Sequence, residues 1–369
     1  MRLSARLVAI VGVGLVVAAA AANQAWLDRH FLPSFFVPRH GYVWIESSVR
    51  VSIVAAGVGL VVARRRLALR LTHAPAMTLR AIVAGVLAIV AADFAIRWIR
   101  VRPTEWLLQD EEPRRQEDDR LGWVLAPART GRAVVAGRPI EYAIDANGYR
   151  VRRVDEPVDR ERPTVVFAGE SVMFGEGLTW QESIPAQVAT LTHVQSANLA
   201  VHGYSTDQIY LRLARELPQF REPVAVVAIF MTELFGRNLD DDRPHLAPGL
   251  RWLPAEHASP VMALAGLLVP YRRDTTVEQG IQTTRDALRA IAQLARDRHA
   301  FPLVVIPRFG AEDTVQHALR SRIFTGQIPT LVIQLDPDWR LSWDRHPNAR
   351  AATVIAQAVG DAIRIPSAK

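Results

Sequence analysis

The chain has 369 residues, of which 50% are hydrophobic, and a formal net charge of +7. It contains no cysteine, which excludes disulfide bonds and thiolate metal sites. The positive charge comes almost entirely from arginine, since Lys369 is the only lysine. No basic block interleaved with aromatic residues is present, so the charge does not indicate nucleic-acid binding.

Three apolar segments lie in the first hundred residues. A membrane span needs roughly 20 apolar residues, so residues 1–100 are predicted to form a membrane region with two or three transmembrane helices. The first segment follows two arginines and ends in three alanines, and it is either a transmembrane helix or a cleaved signal peptide. The segments are Leu7–Ala22, Tyr42–Ala63 and Ala81–Ile99.

The second and third segments each carry an acidic residue four positions before an arginine, a spacing that allows pairing on one helix face. These residues are Glu46 with Arg50, and Asp93 with Arg97. Between the two segments, arginines 64 to 66 form a short basic loop, and such loops stay in the cytoplasm. Everything after about residue 100 is therefore predicted to lie outside the cytoplasm.

Residues 101–160 are predicted to hold a charged connector and a small β-hairpin, in which Asn147-Gly148 is a strong turn signal. Residues 161–369 alternate between apolar β-prone runs and amphipathic stretches, which predicts an α/β fold with a covered parallel sheet. Residues 237–273 break this alternation and are predicted to be an insertion. The predicted strands are Val165–Ala168, Ala197–Val201, Val224–Phe230, Leu303–Ile306 and Thr330–Leu335, and the clearest helices are Thr276–Arg298 and Pro347–Ile363.

The chemistry is expected at the end of the first of these strands, where the chain continues as Gly169-Glu170-Ser171. Gly169 allows a turn that a side chain would obstruct. A serine just past the carboxyl end of a parallel strand lies where open α/β sheets bind ligands. The spacing is not G-x-S-x-G, so the nucleophile elbow of α/β-hydrolases does not fit.

A candidate base lies near the C-terminus, within residues 344–348, just before the last predicted helix. A serine nucleophile needs a base, and the base needs an acceptor that holds its tautomer. His346 is the candidate base because histidine titrates near neutral pH. Asp344 is the candidate orienting carboxylate, with Asp336, Asp338 or a backbone carbonyl as alternatives.

Two other strand ends carry candidate polar groups. Gly203 follows the second strand and can offer an unobstructed backbone N–H, and Thr232 follows the third. Asn238 lies six residues further on, where asparagine is more often a turn former. His202 is interpreted as a packing or loop histidine, and the acidic run at 240–242 as solvated surface rather than a cation site.

In chain order, Gly169-Glu170-Ser171, Gly203, Thr232 and Asp344-Arg345-His346 resemble the sequence blocks of the SGNH (GDSL-type) hydrolases, in particular membrane-anchored bacterial members. The chain departs from the family pattern at three points. Glu170 replaces an aspartate, the Asp-x-His spacing is one residue shorter than Asp-x-x-His, and Thr232 stands where an asparagine is expected.

The resemblance implies a three-layer α/β/α fold of flavodoxin-like type with a five-stranded parallel sheet, and no metal or organic cofactor. It also implies that Ser171 attacks an ester carbonyl while Ser171, Gly203 and Thr232 bind the oxyanion, with Asn238 as an alternative donor. The resulting acyl-enzyme would pass its acyl group to water or to a sugar hydroxyl.

Three functions are left open by the sequence. The first is an extracytoplasmic serine esterase acting on acyl, foremost acetyl, groups of a small molecule or an envelope polysaccharide. The second is an O-acetyltransferase partner domain supplied by a membrane acyl-donor protein. The third is a non-catalytic envelope module, which Thr232 favours. All three are expected at the inner (cytoplasmic) membrane, with the bilayer as a partner and the domain on the periplasmic side.

Overall fold

The computed structural model describes residues 2–32, 39–73, 75–98, 112–135, 137–256, 259, 261, 271–326, 328–342 and 344–363. The chain divides into two units. One comprises Met1–Trp106 with His257–Asp274, and the other comprises Leu107–Glu256 with Thr275–Lys369. The second unit contains all the candidate site residues.

Helices α1 (Arg2–Ala21) and α3 (Arg39–His73) of the first unit pack backbone against backbone at Gly12 and Gly57. A Cβ atom on either glycine would lie 2.6 Å from the carbonyl oxygen of the other, so no larger residue fits without separating the helices. Small residues of this kind permit close helix packing in membranes. The helices of this unit are α1 (Arg2–Ala21), α2 (Gln24–His30), α3 (Arg39–His73) and α4 (Pro75–Trp98).

Among the described helices, one is long and apolar enough to cross a membrane, namely the Arg39–Arg70 part of α3. A second span results if α1 and α2, which are bent by 80° at their junction, are counted together. Residues Ile82–Ile96 form a shorter apolar stretch. Length and composition thus allow one or two spans, against the two or three predicted, and membrane insertion stays a prediction.

The charged residues of α3 contact the preceding helices rather than each other. Gln24 Nε2 donates to Glu46 at 2.9 Å, and Arg50 Nε donates to the Ala19 carbonyl at 3.2 Å. The described residues show no ion pair between Glu46 and Arg50, because each has a partner in the α1–α2 segment. The matching pair expected in α4 includes a side chain outside the described residues and stays a prediction.

Eight strands of the second unit form one mixed sheet, and four more form two small hairpins. The bounds are β1 (Arg115–Asp118), β2 (Gly122–Leu125), β3 (Arg129–Val135), β4 (Arg138–Ile144), β5 (Arg150–Val151), β6 (Thr164–Ala168), β7 (Gln195–Asn198), β8 (Pro223–Ile229), β9 (His245–Ala247), β10 (Arg251–Leu253), β11 (Phe301–Phe309) and β12 (Thr330–Leu335). The order in the large sheet is β12-β11-β8-β6-β7-β5-β4-β3.

The five strands from β12 to β7 pair in parallel. Strand β5 then joins β7 in the antiparallel direction, with Arg150 opposite Asn198, and β4 and β3 continue from it. The predicted five-stranded sheet is therefore a correct account of the parallel part but not of the whole, which has eight strands. The hairpin strands cover an edge of β7 whose N–H and C=O groups would otherwise be unpaired.

Both helices whose bounds were predicted in this unit are present. Helix α8 (Asp274–Asp297) starts two residues earlier than predicted, and α10 (Ala349–Ile363) starts two residues later. Among the strands, β12 matches its prediction, while β7 lies earlier than the predicted Ala197–Val201. The helices are α5 (Ser171–Phe174), α6 (Ile184–Thr192), α7 (Thr206–Glu216), α8 (Asp274–Asp297), α9 (Thr314–Ile323) and α10 (Ala349–Ile363).

Strand β6 lies inside the parallel part, with β7 on one side and β8 on the other. The chain crosses to β7 through α6 and then returns past β6 to β8 through α7. Since such crossovers are right-handed, α6 and α7 lie on opposite faces of the sheet. This is the flavodoxin-like strand order. The connections from β6 and into β8 leave in opposite directions, and the resulting topological switch point lies at the carboxyl end of β6.

The predicted insertion at 237–273 is described only in part. It begins within a 3₁₀ segment, Thr232–Leu239, and continues into the β9–β10 hairpin. Asp207 of α7 accepts from the Leu246 N–H at 2.8 Å and so anchors this hairpin. Residues 257–258, 260 and 262–270 lie outside the described residues.

Candidate active site

The segment after β6 turns sharply at Gly169 to bring Ser171 to the switch point. A Cβ atom at Gly169 would lie 2.5 Å from a methyl group of Ile229 and 2.6 Å from Met173 Cβ. Glycine is therefore required here for space, as the sequence predicted. Ser171 follows as the first residue of α5 and is only 2% exposed.

Three predicted site residues form one continuous hydrogen-bonded series. Ser171 Oγ lies 2.7 Å from Nε2 of His346, and Nδ1 of His346 lies 2.7 Å from Oδ2 of Asp344. His346 is 5% exposed, so the series is shielded from bulk water. The arrangement has the order of a nucleophile, a base and an orienting carboxylate.

The loop before α10 explains how the shortened Asp-x-His spacing still aligns both side chains. Asp344 Oδ1 accepts from the backbone N–H of His346 at 3.1 Å, which leaves Oδ2 for the imidazole. The His346 carbonyl accepts from the Leu341 N–H at 2.8 Å, and Asn348 N–H donates to the Trp339 carbonyl at 3.1 Å. These backbone bonds close the loop and fix the position of the ring.

Carboxylates dominate the electrostatics around His346. Burial lowers its pKa, but the hydrogen bond to Asp344 and the charges of Glu176, Asp344 and Glu170 outweigh burial, so the pKa of His346 is raised. Burial raises the pKa of Asp344, and its bond to His346 outweighs this, so the pKa of Asp344 is lowered. Glu176, whose Oε2 lies 3.7 Å from His346 Nε2, was not identified from the sequence.

Glu170 is buried and contacts the nucleophile directly. Its Oε2 accepts from Ser171 Oγ at 2.6 Å and from the Val172 N–H at 3.0 Å, which caps the N-terminus of α5. Arg237 Nη1 lies 4.0 Å from the same oxygen. The other oxygen, Oε1, is buried and has no hydrogen-bond partner among the described residues. The sequence identified Glu170 only as a replacement for aspartate.

Two backbone N–H groups of the predicted site, those of Ser171 and Gly203, have no acceptor among the described residues. The Val201 N–H donates to the Gly169 carbonyl at 3.1 Å, so the segment after β7 runs beside the segment after β6. Gly203 has φ +83°, a conformation that favours glycine. Its carbonyl accepts from Arg243, whereas neither its N–H nor the N–H of Ser171 donates to any described residue.

The two candidate side-chain donors after β8 differ in their contacts. Thr232 is 5% exposed, and within the described residues no hydrogen bond joins it to Ser171. Asn238 donates to the hydroxyls of Thr206 and Thr284 at 3.0 and 2.8 Å. Both N–H groups of the Asn238 amide are thus committed to tying the 3₁₀ segment to α7 and α8.

His202 lies near the site but not within the hydrogen-bonded series. Its ring packs edge-on against Phe174, with centroids 6.0 Å apart. Burial, and then the positive charges of Arg115, Arg237 and His346, lower the pKa of His202 to about 3. The ring is therefore neutral, in keeping with its interpretation as a packing histidine.

Arg150 is fully buried and holds the loop next to the site in place, a role that the sequence analysis did not predict. Its guanidinium donates to the carbonyls of Phe174, Gly175 and Leu178 at 2.6, 2.8 and 2.6 Å. It also lies 4.8 Å from the ring centroids of Tyr142 and Phe174. One side chain of the hairpin strands thereby fixes the loop that follows the nucleophile.

The part of the chain that the structure describes contains no group of three or more His, Asp or Glu residues placed to hold a metal ion. One residue of the acidic run, Asp240, is paired with Arg243. Asp240 Oδ2 accepts from two nitrogens of Arg243 at 2.8 and 2.9 Å.

No protein-family model and no curated protein matches this chain. Solved structures show a distant likeness. A member of the lipolytic protein G-D-S-L family from Veillonella parvula DSM 2008 is 12% identical with a TM-score of 0.33, over 54% of this chain and 96% of that one. The acetyl xylan esterase Est2A from Butyrivibrio proteoclasticus is 11% identical with a TM-score of 0.35, over 57% and 65%.

A third structure, the salicylyl-acyltransferase SsfX3 from a tetracycline biosynthetic pathway, is 16% identical with a TM-score of 0.29, over 55% of each chain. At these identities and TM-scores the likenesses assign neither a family nor an activity to this chain.

Proposed function

We propose that this chain is an SGNH (GDSL-type) serine esterase that cleaves acyl esters, foremost acetyl esters, through an acyl-enzyme on Ser171. The observation that carries the proposal is the series Ser171–His346–Asp344, with both contacts at 2.7 Å. The serine, at the start of α5, and the histidine, in the loop before α10, are 175 residues apart in the chain. Their alignment at the switch point of a doubly wound sheet is the arrangement that nucleophilic catalysis requires.

The first half-reaction follows from the contacts. Ser171 Oγ attacks the acyl carbonyl carbon while neutral His346 accepts its proton at Nε2, and Asp344 holds the proton on Nδ1. When the tetrahedral intermediate collapses, His346 gives the proton to the leaving alcohol oxygen. Water then attacks the acyl-enzyme, and His346 moves the water proton back to Ser171 Oγ as the acid leaves.

The oxyanion is bound by the N–H groups of Ser171 and Gly203, which have no other acceptor among the described residues. Preorganised donors of this kind stabilise the charge that develops on the carbonyl oxygen. The hydroxyl of Thr232 is proposed as a weaker third donor. Asn238 is not part of this proposal, because its amide is bonded to Thr206 and Thr284.

The substrate is proposed to be an O-acylated small molecule or polysaccharide of the cell envelope. The apolar N-terminal helices support an inner-membrane anchor, and arginines 64–66, which lie inside α3 rather than in the predicted loop, support placing the catalytic unit on the periplasmic side. Transfer of the acyl group to a sugar hydroxyl, with a membrane protein as donor, uses the same first half-reaction and differs only in the second nucleophile. The aligned triad argues against the non-catalytic alternative.

The test uses the full chain in detergent, a fluorophosphonate probe, and a panel of acetylated glycans and p-nitrophenyl esters. We expect the probe to label Ser171 and acetate to be released, and Ser171→Ala to abolish both. A folded chain that is never labelled at Ser171 would overturn the proposal. If turnover depends on an added sugar acceptor rather than on water, the transferase form is correct.

A further inference from the structure

The Ser171 hydroxyl lies between two acceptors. Its Oγ is 2.6 Å from Oε2 of Glu170 and 2.7 Å from Nε2 of His346. A serine hydroxyl carries one proton and can donate only one hydrogen bond. Catalysis by the proposed esterase requires that proton to point to His346, whereas the contact with Glu170 directs it away.

A count of protons shows which state fits all the contacts. The series Asp344, His346, Ser171, Glu170 contains three short contacts, and each needs one proton between its two heavy atoms. Glu170 Oε2 accepts from both Ser171 Oγ and the Val172 N–H, as a carboxylate does. With a carboxylate at each end of the series, an imidazolium supplies two protons and the hydroxyl supplies the third. With neutral His346 only two protons remain, so one contact would set two lone pairs against each other.

We propose that Glu170 is a second acceptor for the Ser171 proton, and that the free enzyme rests with His346 protonated, Ser171 donating to Glu170 and the nucleophile inactive. This inference rests on the proposed esterase function. Activation is loss of the Nε2 proton to solvent, followed by rotation of the Oγ–H bond from Glu170 Oε2 to His346 Nε2. Glu170 is thus a positioning residue that opposes the reactive hydroxyl orientation.

The charged groups facing the ring favour the protonated state. Asp344 lies on the same loop, and Glu170 and Glu176 come from the segment after β6, the latter 3.7 Å from Nε2. His202, from the segment after β7, is neutral. Arg237, from the segment after β8, opposes the carboxylates but lies 4.0 Å from Glu170 rather than against the ring.

Two substitutions separate the effect of the Glu170–Ser171 hydrogen bond from the effect of the Glu170 charge. Glu170→Asp keeps the charge and the capping carboxylate but shortens the side chain by one methylene, which withdraws it from Oγ. Glu170→Gln keeps the length but offers an uncharged, weaker acceptor. The full chain in detergent is labelled with a fluorophosphonate at a series of values from about pH 5 to about pH 9, which spans the titration of histidine.

We expect the apparent pKa of labelling to fall by about one in Glu170→Asp, so that labelling at acid pH is about tenfold faster than in the wild type. Because the competing acceptor is withdrawn, the plateau rate at alkaline pH should be at or above that of the wild type, and far-UV circular dichroism shows separately that the variant is folded. Glu170→Gln should shift in the same direction. If Glu170→Gln shifts and Glu170→Asp does not, charge alone acts and the proposal is wrong. If neither shifts, Glu170 is only a helix cap.

A second readout does not depend on activity. Selective ¹⁵N labelling of histidine, with His346→Gln to identify the signal, gives the titration of the His346 ring directly. The ring should lose its Nε2 proton at lower pH in Glu170→Asp than in the wild type. If Ser171 is never labelled but this shift occurs, the esterase function fails while the Glu170 contact is upheld. An unchanged ring titration overturns the inference.

Discussion

Arg150 provides a quantitative test of how the nucleophile loop is held. It is fully buried and donates to the carbonyls of Phe174, Gly175 and Leu178. Hydrogen bonds to a charged group contribute about 1.5–3 kcal/mol each, so their loss costs roughly 4–9 kcal/mol. Against this, burial lowers the pKa of Arg150 to about 10, which corresponds to a desolvation cost on the order of 3 kcal/mol.

Arg150→Met removes the hydrogen bonds but also the buried charge, so a net loss of roughly 1–6 kcal/mol in the free energy of unfolding is expected. Arg150→Lys retains the charge, yet one ammonium group cannot replace a planar fork that reaches three carbonyls. It should lose two of the three bonds, roughly 3–6 kcal/mol, and recover none of the desolvation cost. Lysine is therefore expected to be no better than methionine here.

The assay is thermal unfolding of the full chain in detergent, followed by tryptophan fluorescence, with fluorophosphonate labelling below the transition as a report on the nucleophile loop. Both variants should unfold at lower temperature than the wild type. The reasoning would be refuted if Arg150→Met is strongly destabilised while the free energy of unfolding of Arg150→Lys stays within about 0.5 kcal/mol of the wild type, the range of ordinary surface substitutions. It would mean that charge alone, rather than the fork geometry, holds the loop.

Ser171→Ala and His346→Ala should each abolish ester cleavage, and the double variant should lose little more, because a triad acts as a unit. Asp344→Asn should have an equal or smaller effect. Wild-type turnover in Ser171→Ala would exclude the mechanism. Thr232→Val should lower turnover, but by less than the ~10²–10³ typical of a strong oxyanion donor. Asn238→Ala should lower the unfolding temperature, and any loss of turnover should stay below tenfold, about 1.4 kcal/mol. If Asn238→Ala costs more than this and Thr232→Val has no effect, the third donor is Asn238. Because the pKa of His346 is raised on folding, its protonation stabilises the fold below the unfolded value of about 6.5, and this is lost as pH rises through the folded pKa. His346→Gln should therefore cost more stability at about pH 5 than at about pH 9, and an equal loss at both would contradict the linkage. A reporter active only outside the cytoplasm should be active when fused to the C-terminus, and a signal from a cytoplasmic-only reporter would reverse the topology.

The order of the site residues along the chain was predictable because each follows a recognisable strand or precedes a recognisable helix. The carboxyl ends of parallel strands meet at one edge, so Ser171 and Gly203 were expected to be neighbours. The pairing of Asp344 with His346 was also expected, although the shortened spacing works only because each oxygen of Asp344 has a separate partner on His346.

The contacts of Arg150 and Glu170 were not predictable from local pattern. The alternation of residues identifies a strand but not its partner, and the pairing of Arg150 with Asn198 spans a long stretch of chain. For the same reason the hairpin was placed outside the sheet that it extends. Glu170 differs from the expected aspartate by one methylene, and whether that length brings the carboxylate to Ser171 depends on a turn that only coordinates define.

Because the proposed nucleophile and base are 175 residues apart, the ribosome synthesises the serine well before the histidine. At about 5–20 residues per second, synthesis of the intervening chain takes roughly nine to thirty-five seconds. During that interval the nascent chain carries its serine without a proton acceptor in the imidazole position, and α10, which follows the base-bearing loop, is made later still. A chain that terminates before residue 346 therefore lacks the proposed base, and the proposed esterase activity arises only after that residue has been made.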